Sequence, residues 1–134
     1  MEKLKNKIVS IGALLGFFSV VLGAFGTHAL KGKIGYDLFE IYEVGTHYLA
    51  IHALAIVLYG LWYGTLAQKK VKCWPVILYL VGIFIFTGSL YIITFSGIRK
   101  WGAVTPIGGV CLLAAWLGFA WQSFKLTSNL ENLR

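Results

Sequence analysis

The sequence predicts an all-α membrane protein, a four-transmembrane-helix bundle with a short amphipathic helix between helices 1 and 2. Four long stretches contain no Asp, Glu, Lys or Arg, at residues 8–30, 44–68, 73–98 and 101–123. A helix that crosses a hydrocarbon core needs about 20 apolar residues, so each stretch is long enough. Hydrophobic residues make up 58% of the chain and its mean hydropathy is +0.77, which leaves too little polar surface for a water-soluble globule.

The chain of 134 residues is long enough for one domain. We therefore expect a single four-span membrane domain over 1–134, with spans at about 8–30, 44–66, 74–96 and 103–124. The first apolar run follows a basic start and contains Ala24-Phe25-Gly26, the small-x-small pattern of a secretory cleavage site. That run is longer than the core of a signal peptide, so we expect it to remain as the first span.

Small residues recur along the first span at alternating steps of four and three positions. The set is Gly12, Gly16, Ser19, Gly23 and Gly26. This spacing keeps a seam of small side chains facing a neighbouring helix, where close backbone approach supplies packing energy in lipid. Two interpretations are open: the seam packs inside the bundle, or Gly12, Gly16, Ser19 and Gly23 form a homo-oligomer interface.

The link after the first span has amphipathic character. Gly32 lies between two lysines and suits the C-terminal cap of the first helix. Asp37, Glu40 and Glu43 then recur at three-residue steps. This pattern predicts either a short helix at the outer interface or an early extension of the second span. We expect the acidic face to be solvated or paired with a nearby base, namely Lys31, Lys33, Arg99 or Lys100.

Prolines mark the beginnings of the last two spans. Pro75 lies in the first turn of the third span, where its missing N–H needs no partner. In the fourth span, Thr105 is expected to be the N-cap and Pro106 the first helical residue. Alternatively, that helix begins at Trp101 and kinks at Pro106.

The basic residues predict the orientation in the membrane. Eight belong to the N-terminus, the second link and the tail: Lys3, Lys5, Lys7, Lys69, Lys70, Lys72, Lys125 and Arg134. The other two links hold four: Lys31, Lys33, Arg99 and Lys100. By the positive-inside rule, both termini then face the cytoplasm. No nucleic-acid partner is expected, because the net charge of +7 comes from short juxtamembrane clusters and no basic surface remains.

Aromatic residues near the predicted span boundaries indicate a membrane-interface belt. They are Tyr59, Trp62, Tyr63, Trp74, Trp101 and Trp121. The two cysteines, Cys73 and Cys111, are expected at different depths and therefore as free thiols.

The polar residues and glycines of the spans concentrate in the predicted outer half of the bilayer. Counting along alternating helices puts these residues there: His28, His52, Thr87, Ser89, Tyr91, Thr105, Gly108 and Gly109. The cytoplasmic half is expected to contain mostly Ile, Leu, Val, Phe and Trp. A polar group at lipid depth should face protein or water, so we expect His52 to bond Thr87, Ser89 or Tyr91. These groups either connect helices or line an outward-facing cleft.

Metal binding and catalysis receive little support from the sequence. Glu43 and His47 stand one helical turn apart, which suits two ligands of one ion, and His28 is a candidate third. No metal motif such as HExxH accompanies them. Ser89 and His52 have no carboxylate at their depth to orient the imidazole. We therefore expect no catalytic residue and no cofactor.

Four motifs occur in order along nearly the whole chain. They are Gly23-Ala24-Phe25-Gly26-Thr27-His28-Ala29-Leu30, Tyr48-Leu49-Ala50-Ile51-His52-Ala53-Leu54-Ala55, Phe86-Thr87-Gly88-Ser89-Leu90-Tyr91 and Thr105-Pro106-Ile107-Gly108-Gly109. They resemble the GAFGAHAL, YQxxHALA, FSGSLY and TPxGG signatures of the YgdD/YwdK-like family of small membrane proteins (domain of unknown function 423). The chain differs at Thr27, Leu49 and Thr87, where the family pattern has alanine, glutamine and serine. The resemblance implies a four-span inner-membrane protein with no assigned activity.

The leading hypothesis is a non-enzymatic component of the bacterial cytoplasmic membrane, with membrane lipids as partners. Its outer-leaflet polar cleft, formed by His28, His52, Ser89, Tyr91, Thr105, Gly108 and Gly109, would bind a lipid-like or small ligand or a membrane partner. A small homo-oligomeric transporter or channel is the first alternative, because four spans and one glycine seam can build a symmetric assembly. A metal or redox enzyme using Glu43 and His47 is the second.

Overall fold

The structure is a computed structural model that describes residues 2–65 and 71–131, with side chains described as far as residue 126. Four long helices account for most of these residues: α1 (Glu2–Phe25), α2 (Tyr36–Thr65), α3 (Trp74–Ser96) and α4 (Thr105–Glu131). A π-helical turn, Gly26–Leu30, extends α1, and a 3₁₀ helix, Arg99–Ala103, precedes α4. Four helical segments are long and apolar enough to cross a membrane, which confirms the predicted fold class.

Two glycines end helices by adopting the left-handed backbone conformation. Gly32 has a φ of +77° and Gly97 a φ of +70°, a region that residues with a Cβ rarely adopt. The Gly97 N–H donates to the Ile93 carbonyl at 2.8 Å and so satisfies one of the last acceptors of α3. Gly32 follows the π-helical turn, as expected for the cap of the first span.

Consecutive helices are antiparallel, and each packs mainly on its neighbour in the chain: α1 on α2, α2 on α3 and α3 on α4. Val9 in the first half of α1 lies against Gly60 near the end of α2, while Gly26, which follows α1, lies against the ring of Tyr42 near the start of α2. Within an apolar stretch of 18 residues in each span, 44% of the residues are buried in the central helices α2 and α3, against 17% in the first span and 22% in the fourth. The bundle is therefore open, because α1 and α4 flank it and expose most of their surface.

The antiparallel order gives the bundle two ends. We call the end with links 31–35 and 97–104 the loop side, and the end with the starts of α1 and α3 and the finish of α4 the termini side. Lys69, Lys70 and Arg134, which contribute to the predicted orientation, lie outside the described residues. Cys73 and Cys111 are free thiols, as predicted.

The acidic segment that follows the first span is the beginning of α2. Of the two predicted alternatives, the structure therefore has the early extension of the second span, which begins at Tyr36. Phe39 and Tyr42 face the interior and are buried, whereas Glu40 and Glu43 are exposed. On the loop side, Arg99 donates to the Asp37 carboxylate, so one of the expected pairs with a nearby base is present.

The seam of small residues on α1 packs inside the bundle at three of its positions. Gly12, Ser19 and Gly26 are buried. A Cβ added at Gly12 would lie 2.9 Å from the carbonyl oxygen of Ala53, so the helices approach closely there. Gly16 has no such neighbour within 4 Å, and a homo-oligomer contact through it remains a prediction.

The beginning of the fourth span differs by one residue from the first of its two predictions, because Thr105 is the first residue of the helix instead of its N-cap. α4 begins at Thr105, followed by Pro106. Trp101 belongs to the separate 3₁₀ helix, so the alternative of a long helix kinked at Pro106 is not what the structure has.

The outward surface of the bundle is apolar. Leu14 on α1, Phe84 on α3 and Leu117 on α4 are 59%, 83% and 72% exposed. In water, such exposure would mark a binding surface, but in a bilayer it is the surface that acyl chains cover.

Candidate functional site

The polar side chains of the spans fall into separate clusters instead of one cleft. Two lie toward the loop side, one lies near the middle of α2, and one lies at the termini side.

The first cluster belongs to a groove between α1 and α2 near the loop side, which we call the α1–α2 groove. Its volume is about 660 Å³. It is lined by Gly23, Gly26, Thr27, Phe39, Tyr42, Glu43, Val44, Thr46, His47, Tyr48 and Ala50. The two glycines lack side chains that would fill this space, so the groove follows from the seam of small residues.

Hydrogen bonds and stacked rings fix the floor of the groove. The Tyr42 hydroxyl donates to the Leu22 carbonyl at 2.8 Å, which ties α2 to α1. The Thr46 hydroxyl donates to the Tyr42 carbonyl at 3.0 Å, so its oxygen accepts from the Tyr91 hydroxyl at 2.9 Å. The rings of Tyr42 and Tyr91 stack with centroids 4.9 Å apart. Three helices therefore hold this floor rigid.

The rim of the groove carries its ionisable groups. Glu43 and His47 lie one turn apart on α2, and both are exposed. The Thr27 hydroxyl on α1 donates to the Gly23 carbonyl at 3.0 Å, which leaves its oxygen able to accept another hydrogen bond. The groove thus offers a carboxylate, an imidazole and a hydroxyl beside apolar walls.

His28 does not line this groove. It lies in the π-helical turn that extends α1 and is exposed, whereas the adjacent Thr27 lines the groove. Among the described residues, no three His, Cys, Asp or Glu side chains are arranged to hold a metal ion. In the described part of the chain, His28, Glu43 and His47 are therefore not grouped as three ligands of one ion.

The second cluster joins α3 to α4. The Ser89 hydroxyl donates to the Phe86 carbonyl at 2.9 Å, so it accepts from the Thr105 hydroxyl at 2.7 Å. Gly108 is buried against the backbone of Phe86, and Gly109 faces the Phe86 ring at 3.8 Å from an added Cβ. The structure brings together Ser89, Thr105, Gly108 and Gly109 as predicted, but in a packed helix contact.

The third cluster surrounds His52, which is 4% exposed. Its Nδ1 donates to the Tyr48 carbonyl at 2.7 Å, and its Nε2 accepts the indole N–H of Trp116 at 3.2 Å. The rings of Tyr48, Tyr79 and Trp116 lie with centroids 5.7, 5.9 and 6.2 Å from the imidazole. These two bonds define a neutral imidazole that joins α2 to α4. The Tyr79 hydroxyl is buried without a hydrogen-bond partner in the described residues.

The partners expected for His52 are engaged elsewhere. Thr87 donates to the Gly45 carbonyl at 3.2 Å, Ser89 bonds Thr105, and Tyr91 bonds Thr46. The expectation that one of them would bond His52 is wrong, because these residues face different neighbours around α3. His52 and Tyr91 thus belong to separate clusters.

The fourth cluster lies at the termini side, in the half expected to be apolar. The Lys72 backbone N–H donates to the Gln122 side-chain oxygen at 2.9 Å, and the Gln122 amide donates back to the Lys72 carbonyl at 3.2 Å. The Tyr59 hydroxyl donates to the same carbonyl at 2.8 Å. The half expected to be mostly apolar thus also contains two buried polar side chains, Tyr59 and Gln122, which satisfy the backbone where the chain enters α3. Burial raises the pKa of the nearby Cys73 thiol, and a hydrogen bond with Tyr63 opposes this in part.

The predicted aromatic belt is correct in part. Trp74, Trp101 and Trp121 are at least one-third exposed, as interface residues should be. Tyr59 and Tyr63 are instead buried, because their rings belong to the core where α2 meets the beginning of α3.

Sequence reasoning did not include Tyr42, Thr46, Trp116 or Gln122 among the site residues. Trp116 offered a usable signal, since it lies in the middle of its span, away from the interfaces that tryptophan prefers. Gln122 offered another, because an uncharged amide inside an apolar stretch must find a partner. Tyr42 and Thr46 offered none, since they belong to a pattern that fits a surface helix equally well.

These observations define an α-helical integral membrane protein with four spans, and polar clusters at both ends. The sequence model of the family described as a protein of unknown function (DUF423) matches residues 22–109. The chain belongs to this family. No solved structure matches it.

Relatives from several bacteria support the assignment. A UPF0382 membrane protein of Staphylococcus haemolyticus is 37% identical over 117 residues, which cover 87% of this chain and 94% of the relative. A UPF0382 membrane protein of Haemophilus influenzae is 35% identical over 127 residues, covering 93% and 99%. The UPF0382 inner membrane protein YgdD of Escherichia coli K12 is 38% identical over 107 residues, covering 78% and 79%. The resemblance carried by the four motifs is confirmed.

Proposed function

We propose that this protein is a non-enzymatic membrane component that binds a lipid-like molecule in the α1–α2 groove. The observation that carries the proposal is the lining of the groove, which combines a carboxylate, an imidazole and hydroxyls with apolar walls. A concave site with a few polar groups among apolar ones suits an amphiphile. The groove opens on the outside of the bundle, where a lipid can enter sideways from the bilayer.

The charge of the groove favours a head group that contains an amine. Glu43 is the carboxylate among its lining residues, and no Lys or Arg of the described residues lines it. An ammonium group attracted to Glu43 gains Coulomb energy and can donate hydrogen bonds to neighbouring hydroxyl oxygens. The acyl part would lie along Val44, Tyr48 and Ala50, which line the same groove deeper along α2.

The proposal includes the orientation with both termini in the cytoplasm of a bacterial cell. Of the 12 basic residues, the termini side and its neighbouring segments hold the larger share. The name of the Escherichia coli relative places that protein in the inner membrane. With this orientation, the α1–α2 groove opens toward the outer leaflet.

Glu43→Gln is expected to weaken the binding of phosphatidylethanolamine roughly fivefold, since a partly exposed ion pair contributes about 1 kcal/mol. The measurement is native mass spectrometry of the purified full chain with that lipid added. Glu40→Gln is the matched control, because Glu40 is an exposed carboxylate three residues away that does not line the groove. Equal effects of the two substitutions, or no effect of either, would contradict the proposal.

Orientation is tested by labelling cysteines in spheroplasts with a membrane-impermeant maleimide. In a Cys73→Ser and Cys111→Ser background, we expect Lys33→Cys to be labelled in intact spheroplasts. Lys3→Cys should be labelled only after lysis, because it lies at the other side; both lysines are exposed. The reverse pattern would show that the groove opens toward the cytoplasm.

A further inference from the structure

A second cavity lies at the termini side, between the beginning of α3 and the end of α4. Its volume is about 480 Å³. It is lined by Val71, Lys72, Trp74, Trp121, Gln122, Lys125 and Leu126. We propose that this cavity binds the phosphate head group of an anionic phospholipid. The site is separate from the α1–α2 groove and does not depend on what that groove binds.

The charges of the cavity are positive. Lys72 and Lys125 line it, and no carboxylate does among the side chains that the structure describes. The ammonium group of Lys125 lies 5.1 Å from the centroid of the Trp121 ring, within the range of a cation–π contact. This contact holds the ammonium group at the wall of the cavity, where it attracts a phosphate.

The floor of the cavity is rigid. Gln122 is 7% exposed and bonds both the N–H and the carbonyl of Lys72. These two hydrogen bonds to the backbone fix the position from which the Lys72 side chain extends. One of the two lysines therefore extends from a backbone segment that buried hydrogen bonds hold in place.

Two tryptophans form the walls and mark the membrane boundary. Trp74 and Trp121 are 37% and 58% exposed, and they lie where α3 begins and α4 nears its end. An indole N–H is a hydrogen-bond donor, so both rings can donate to phosphate or ester oxygens. Leu126 and Val71 add apolar wall. Interfacial rings with apolar walls favour a phospholipid over a soluble phosphate.

Lys72→Gln combined with Lys125→Gln tests the proposal in the purified full chain. We expect phosphatidylglycerol to bind at least roughly tenfold more weakly to this double variant, as judged by native mass spectrometry. Phosphatidylcholine, which carries no net charge, should bind weakly to both proteins. Both lysines are exposed, so the fold should be unaffected, and thermal melting checks this.

Lys31→Gln combined with Lys33→Gln is the control, since it removes the same charge from exposed lysines on the loop side. It should leave phosphatidylglycerol binding unchanged. An equal loss in both double variants would overturn the proposal, because it would indicate general attraction to a basic protein. Equal binding of phosphatidylglycerol and phosphatidylcholine by the wild-type chain would overturn it as well.

The shape of the cavity is tested without changing its charge. A Cβ added at Gly118 would lie 2.7 Å from an atom of the Trp74 ring, so Gly118→Ala must displace this wall. We expect Gly118→Ala to bind phosphatidylglycerol several-fold more weakly than the wild type. Gly16→Ala should bind it as the wild type does, because no neighbour lies within 4 Å of the added Cβ. If Gly118→Ala binds as the wild type does, the cavity is not the site.

The source of the phosphate is distinguished by competition. Inorganic phosphate or glycerol 3-phosphate at millimolar concentration should not displace phosphatidylglycerol, because neither contacts the apolar walls. Displacement by these soluble anions at concentrations matching the lipid would overturn the assignment to a phospholipid.

Discussion

Gly108→Ala is expected to lower the free energy of unfolding by about 2 kcal/mol or more, the effect of overpacking a helix contact. The added Cβ would lie 2.8 Å from the Cα of Phe86 and still closer to its backbone nitrogen. A backbone inside a helix cannot move aside as a flexible side chain can, so α3 and α4 must separate. Separation also stretches the bond between Ser89 and Thr105, which is 2.7 Å long. Thermal unfolding in detergent measures the loss.

Gly109→Ala is the matched control in the same helix. There an added Cβ would lie 3.8 Å from the Phe86 ring, an ordinary van der Waals distance. We expect a change within about 0.5 kcal/mol, because the contact is tolerated and alanine forms helices better than glycine. If the two substitutions have the same effect, the close approach at Gly108 does not control the packing of α3 on α4.

His52→Leu is expected to lower the free energy of unfolding by about 1–3 kcal/mol. It leaves the Trp116 indole N–H without its acceptor in an environment where water cannot replace it. It also removes the bond between α2 and α4, for which membrane proteins show values of about 0.6–1.7 kcal/mol. Phosphatidylethanolamine binding should be unchanged, because His52 does not line the α1–α2 groove.

Trp116→Phe separates the two contributions to the His52 prediction. In the Trp116→Phe background, His52→Leu should cost less, since no indole N–H is left unpaired. With Trp116 present, His52→Gln should lower the free energy of unfolding less than His52→Leu does, because the glutamine amide oxygen can accept from the Trp116 indole N–H. Additive effects in the double variant would show that the bond to Trp116 contributes little. Loss of lipid binding in a folded His52→Leu protein would extend the proposed site to His52.

The two proposed lipid sites have opposite chemistry at opposite ends of the bundle. The α1–α2 groove has a carboxylate at its rim, whereas the cavity between α3 and α4 has two lysines. An amine-bearing head group suits the first and an anionic phosphate the second. The lipid experiments therefore discriminate between the sites, since each site should prefer a different lipid.

The number of helices and several of their ends followed from the sequence alone. In a bilayer the backbone must be hydrogen-bonded internally, so an apolar, charge-free stretch of sufficient length is expected to form a helix. Local chemistry at Gly32, Pro75 and Pro106 acts within one or two turns and does not depend on the rest of the chain. The pairing of Ser89 with Thr105 was also within reach, because the helices that carry them are joined by a short link.

The rotation of each helix about its axis was decided only by the tertiary structure. In a soluble protein the polar face of a helix shows which side is buried, but α2 and α3 are apolar nearly all round, and lipid accepts any apolar side. Depth along the helix axes therefore predicted His52 close to Thr87 and Tyr91, whereas in the structure its imidazole bonds Trp116. For the same reason, the hydrogen bonds from Gln122 and Tyr59 to the Lys72 backbone could not be predicted from the sequence. Only the assembled helices show which buried polar groups still need a partner.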